Sequence, residues 1–143
     1  MSPGFVFAVL AALAFGTLPI FHKLASSWVH SIFGAFIVSL AAVLSALMIL
    51  LFRMKSITLF THPKGILFAA LAGGCAFLFD VFALKSYSLG LPVSIGGPLI
   101  VGGSIVITTV LGFLLGESLV IMKVVGIALV IAGSCILASL NAN

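Results

Sequence analysis

Five apolar stretches, each about as long as a bilayer is thick, leave this chain few ways to fold. They run approximately over 5–24, 31–52, 65–84, 92–115 and 119–140. A transmembrane helix needs about 20 mostly apolar residues. Charged residues are 6% of the 143 positions and apolar ones 64%. A soluble domain carries about 25% charge, so this chain lacks the polar material to coat a globule. The expectation is an all-α, polytopic membrane helix bundle of five transmembrane helices, with the bilayer as its solvent. Short connections predict antiparallel neighbours and one domain over residues 1–143. The net charge of +4 comes from six scattered cations and two acids. With no basic run, nucleic acid is excluded as a partner. No Lys or Arg precedes the first apolar run, which leads on into further spans, so a cleaved signal peptide is not expected. Cys75 and Cys135 both fall inside apolar runs. They are expected to be buried small hydrophobes rather than a disulfide.

The fourth stretch is the most unusual. From Leu89 to Gly103 it carries two prolines and five glycines. Backbone freed from its helix inside a membrane must be buried in protein or line a wet cavity, since hydrocarbon offers no hydrogen bonds. Gly/Pro-interrupted spans point to a transporter's binding site, so this span is expected to wall a substrate path. Pro92 suits the first helical turn, and Pro98 beside Gly96 and Gly97 predicts a break. Gly97, Ser104, Thr108 and Gly112 share one face, a candidate lining. Leu99, Val106, Val110 and Phe113 share the opposite face, which is expected to meet lipid. Gly112 and Gly116 form a GxxxG pair, a signal for close helix contact.

Asp80 is the most informative single residue. It lies about five residues, or roughly 7 Å, from the middle of the third span. A mid-membrane acid costs of order 2.5–3.5 kcal/mol by insertion scales, and usually faces a cavity or a partner. Its face is small, with Ala69, Gly73 and Ala76 before it and Tyr87 seven residues on. In the first span, Ala12, Gly16, Pro19 and Lys23 also share one face, and Pro19 predicts a kink near Phe15. Asp80 and Lys23 can either bind substrate or proton, or form a buried pair that pins two helices. Lys23 can equally snorkel to the headgroups. His22 and His30 are expected at the interface and Trp28 in the aromatic belt. Lys85 is off the Asp80 face and is expected to end its helix by snorkelling. The second span is packing and lipid contact only. Glu117 is read as architectural, at the start of the fifth helix. Gly126 and Gly133 give the last span a small face for a neighbour or a second subunit.

Residues Arg53 to Lys64 hold three of the six cations, which makes this connection cytoplasmic by the positive-inside rule. His62 is expected in solvent there. Both the N-terminus and this loop are then inside and the C-terminus outside. Arg53, Lys55, Lys64 and Lys123 fall inside, against Lys23 and Lys85 outside. That asymmetry is thin enough to permit dual insertion.

Several motifs together resemble a known domain. They are Ala14-Phe15-Gly16 with Lys23 following, Leu84-Lys85-Ser86-Tyr87-Ser88-Leu89-Gly90-Leu91-Pro92-Val93-Ser94-Ile95, Pro98 in mid-helix, Leu115-Gly116-Glu117-Ser118-Leu119, and the run from Val125 to Gly133. Over about residues 4 to 140 the chain resembles the EamA-type domain of the drug/metabolite transporter superfamily. The resemblance implies a secondary transporter of small metabolites in the cytoplasmic (inner) membrane, with the N-terminus inside. Family members commonly carry two such domains, inverted, with the path between them. A lone five-span unit reaches that assembly by pairing with an inverted copy of itself or with a second EamA-like chain. Asp80 belongs to no general motif of the family, so its role rests on the residues alone.

The expected function is export or exchange of a small polar metabolite such as an amino acid. Lys23, Asp80, Tyr87, Gly97, Ser104 and Thr108 are the candidate substrate-binding residues. Gly16, Pro19, Pro92 and Pro98 are candidate hinges. The alternative is a non-transporting accessory subunit of another membrane complex. An intramembrane enzyme is not expected. No histidine lies deep in a span with a serine, no HExxH metal motif occurs, and Gly96–Ser104 lacks a phosphate-loop lysine. Neither cofactor nor metal is called for.

Overall fold

The computed structural model describes residues 3–53, 63–116, 118 and 120–139. Within them the chain forms five α-helices: α1 (Pro3–Ser26), α2 (Ser31–Arg53), α3 (Pro63–Ser88), α4 (Val93–Leu114) and α5 (Ile121–Ser139). The expected all-α, five-helix chain is thus observed, with α3 extending past Leu84 to Ser88. Four helices contain stretches long and apolar enough to cross a membrane: Val6–Ser26, Ser31–Arg53, Lys64–Ser88 and Val93–Leu114. The fifth is shorter in this respect, apolar over Ile121–Leu137. Lys55, His62 and Glu117 lie outside the described residues.

Helix ends follow local chemistry. Ser26 donates its hydroxyl to the Lys23 carbonyl, and the Ala25 carbonyl takes N–H bonds from Trp28 and Val29 as α1 closes. The His30 carbonyl starts α2 by accepting the Gly34 N–H at 2.8 Å. Past the end of α3, Gly90 adopts φ +100°, a conformation that glycine enters without steric cost. Pro92 then caps α4 in extended geometry (φ −66°, ψ 144°). At the far end of α4, Gly116 has φ +89° and its N–H bonds the Phe113 carbonyl. Gly116 is therefore the left-handed residue that stops α4, rather than half of a helix-contact pair.

The chain divides into two compact units, Met1–Pro19 with Leu91–Asn143, and Ile20–Gly90. In the second, α2 packs along α3. They touch at Gly34, where an added Cβ would stand 2.9 Å from Leu84 Cδ1 and 3.1 Å from Val29 Cγ2. Contact between the start of α2 and the end of α3 makes the pair antiparallel. The buried set gathers at this end: Ala35, Ala83, Leu84 and Tyr87, with the polar His22, Ser26, Ser31 and Asp80. On α3 it occupies positions 80, 83, 84 and 87, one helical stripe. The earlier residues of that stripe, Ala69, Gly73 and Ala76, are exposed.

In the other unit α4 packs along α5. The closest approach is at Gly102, where a Cβ would collide with Ser134 Oγ. The Ser134 hydroxyl donates to the Pro98 carbonyl at 3.4 Å. Pro19 is buried in this unit, about 4 Å from where a Gly97 Cβ would stand. Three expectations change here. α4 is one continuous helix through Pro98, so the predicted break is absent. Pro98 lies in the second turn of α4, where Gly96 and Gly97 add no side-chain bulk and Ser134 engages its carbonyl. The Leu99, Val106, Val110 and Phe113 face lines clefts shared with α5 and is not a purely lipid-facing surface. Cys75 and Cys135 are exposed free thiols instead of buried ones; a small apolar group can face lipid as readily as protein.

Candidate functional site

The ends of α1 and α3 place four chemically active side chains in the Ile20–Gly90 unit. His22 lies on the last turns of α1 and is 2% exposed. Its Nε2 is 3.3 Å from Asp80 Oδ1 on α3, an ion-pair distance without hydrogen-bond alignment. Asp80 is 7% exposed, so the acid is sheltered within its span. The ring of Phe79 is 6.0 Å from the imidazole, tilted by 51°. Two turns past Asp80, Tyr87 is 1% exposed. His22 Nδ1, His22 Nε2 and the Tyr87 hydroxyl have no hydrogen-bond partner among the described residues. An unsatisfied buried polar group costs about 1–3 kcal/mol, so this cluster is held short of its bonding capacity.

Lys23 has a different station. Its ammonium donates to the Tyr87 carbonyl at 3.1 Å, a group that also accepts the Gly90 N–H. The last carbonyls of a helix carry partial negative charge and attract cations. Lys23 therefore ties the end of α1 to the C-terminus of α3. Asp80 lies against His22, a residue that the sequence reading did not pair with it. His22, expected at the interface, is instead among the most buried side chains. Lys85 is exposed in the last turn of α3, and Trp28 is 87% exposed.

In the other unit, an open cleft of about 360 Å³ lies between α4 and α5, lined by Ile105, Thr108, Thr109, Lys123, Gly126, Ile127 and Val130. Thr109 spends its hydroxyl on the Ile105 carbonyl, and Lys123 donates to the Ser118 carbonyl at 3.5 Å.

Compared with known proteins, residues 2–139 match the EamA-like transporter family. The chain belongs to that family. No curated protein and no solved structure matches it. It is thus a multi-pass membrane protein of an EamA-like transporter family.

Within this EamA-like chain the candidate residues fall into two groups. Lys23 meets the Tyr87 carbonyl, and Asp80 lies against His22, the residue that sequence reasoning passed over. Gly97, Ser104 and Thr108 stand on α4. Gly97 is buried, Ser104 is exposed and bonded to the Val101 carbonyl, and Thr108 borders the α4–α5 cleft. Of the candidate hinges, Pro19 and Pro92 sit beside the two points where the chain passes between units. Gly16 is exposed and Pro98 is inside α4.

Proposed function

We propose that this EamA-like chain is a secondary transporter, an exporter or exchanger, of a small polar metabolite such as an amino acid. The observation that carries this reading is the sheltered His22–Asp80 contact inside two apolar spans. Ionisable groups at such depth are expensive and commonly mark substrate or proton pathways. Asp80 receives the cationic end of the solute, with Tyr87 beside it. Lys23 is released from the Tyr87 carbonyl to meet an anionic end. On α4, Gly97, Ser104 and Thr108 line a path, and Gly16, Pro19, Pro92 and Pro98 absorb the changes of backbone angle that alternating access demands.

The working form is a pair, either an inverted homodimer or this chain with a second EamA-like chain. Within a cytoplasmic membrane the N-terminus is inside and the C-terminus outside in the majority orientation, which the cations at Arg53, Lys55, Lys64 and Lys123 favour. Reconstitution in liposomes tests the transport reading. Vesicles loaded with an unlabelled amino-acid mixture should take up labelled amino acids by counterflow, and Asp80→Asn should abolish it. Wild-type vesicles that exchange no small polar solute would favour an accessory subunit instead.

A further inference from the structure

The open cleft between α4 and α5 changes character along its length. Towards the end where α4 stops and α5 starts, it is lined by Thr108, Thr109 and Lys123; one to two turns further in, by Ile105 and Val130. Lys123 stands on the first turn of α5, and it is the one Lys or Arg in the sequence from Leu91 to Asn143. Its ammonium reaches the Ser118 carbonyl only at 3.5 Å, beyond the about 2.7–3.2 Å of ordinary N–H···O bonds. Glu117 is the nearest acid in sequence, so an incoming anion has one local competitor for that charge. Between the cation and the apolar depth lies Gly126, where an added Cβ meets nothing within 4 Å. At about 360 Å³ the cleft falls within the roughly 300–1,000 Å³ of small-molecule sites.

We propose that this cleft seats an anionic phospholipid, with its phosphate against Lys123 and one acyl chain running inward past Gly126 towards Ile105 and Val130. A cation at the end of a span and an apolar channel leading away from it match the two halves of such a lipid. Basic clefts between membrane helices take anionic head groups in this way. The phosphate needs positive charge at this rim, and does not need an unbonded ammonium. A free phosphate leaves the Ile105 and Val130 end unfilled, and a zwitterionic lipid brings no net charge to Lys123. Thr108 stands on the path proposed above, so a seated lipid borders that path. The site itself is argued independently of the transport reading.

The test follows thermal unfolding of the full chain, purified in a maltoside detergent at low ionic strength. The probes are dioctanoylphosphatidylglycerol, dioctanoylphosphatidylcholine and inorganic phosphate. The anionic lipid should raise Tm saturably at about fivefold lower concentration than the zwitterionic one, the effect of one lysine at a membrane surface. Inorganic phosphate should do nothing at those concentrations. Lys123→Gln should remove the preference, whereas Lys64→Gln, an exposed cation of the other unit, should keep it. Gly126→Leu fills the cleft and should weaken both lipids alike. Equal protection by the two lipids, protection by neither, or protection by phosphate alone overturns the proposal. Those three readings need only the wild-type protein, so a variant that fails to fold does not shield it. A preference that survives Lys123→Gln, or that Lys64→Gln removes as well, also overturns it. Protection that grows with protein concentration and ignores lipid puts a second copy of this chain in the cleft, with the same consequence. Every one of these outcomes leaves the counterflow result as it stands.

Discussion

An acid placed within an apolar span needs a neighbour that shares its cost, and Asp80 has His22 at 3.3 Å. Asp80→Asn keeps the shape and removes the charge. It should abolish counterflow while expression and Tm stay near wild type, because the mutation also lightens the burden of placing charge in a membrane. If expression collapses and His22→Leu restores it, the contact is architectural and the acid has no transport role. Lys23 makes the opposite prediction. Its bond to the Tyr87 carbonyl joins a full charge to the negative end of a helix, an interaction worth roughly 1.5–3 kcal/mol when sheltered. Its partial exposure brings the expected loss to about 1 kcal/mol. Lys23→Met should lower Tm measurably in detergent, and Lys23→Arg should recover part of it. A Tm unmoved by Lys23→Met would remove this tie from the account of α3. Asp80 was legible in the sequence because a lone acid in an apolar run has few structural excuses. His22 was not, since a neutral imidazole near a helix end resembles an interfacial residue, and its partner lies on another helix.

At the scale of elements, glycine decides how near α4 and α5 come. Gly102 has no room for a Cβ beside Ser134, whereas a Cβ at Gly103 meets nothing within 4 Å. Gly102→Val should therefore force the helices apart and cost about 1–3 kcal/mol, as overpacking does. Gly103→Ala should be neutral or stabilising by up to about 1 kcal/mol, since alanine is the better helix former. Thermal melts of the two variants check the contrast, and Ser134→Gly added to Gly102→Ala should recover the lost stability. Equal behaviour of the two glycines would mean that α4 and α5 do not pack through Gly102. Pro98 shows where local reasoning stops. Read alone, proline beside two glycines in a membrane predicts unwound chain, yet α4 continues through it. The Ser134 hydroxyl on α5 reaches the Pro98 carbonyl at 3.4 Å, a contact that no local pattern contains. Pro98→Ala restores a backbone donor and should leave Tm equal or higher. Slower counterflow in that variant would identify Pro98 as a moving element, and an unchanged rate would leave it a passive one. The helices themselves were readable because hydrocarbon thickness dictates their length, whereas Gly116 read as half of a contact pair and its left-handed backbone emerged only in the structure.

For the molecule as a whole, the outer surface is the argument. Phe7, Phe52 and Leu115 are 71%, 85% and 86% exposed, in company with most of the large apolar side chains. Water would drive such a surface into aggregates, and lipid is the solvent that suits it. In lipid the rule for helix association changes, because apolar contact alone no longer drives it and small residues that permit close backbone approach matter more. Open small positions remain at Gly73 and Gly74 on α3 and at Gly126 and Gly133 on α5, where an added Cβ meets nothing within 4 Å. In the proposed pair, these are the places for a second five-helix unit to seat closely. A paired assembly predicts that bulky replacements there impair association before they impair folding. Gly73→Leu should leave the monomer's unfolding free energy within about 0.5 kcal/mol of wild type, as surface changes usually do, while reducing dimer yield in lipid cross-linking. Sided reporters fused at each terminus decide the geometry of the pair. Signals on both sides from each terminus mean an inverted homodimer. One fixed side together with cross-linked dimers means a parallel pair. One fixed side with monomers alone directs the search to a separate EamA-like partner chain.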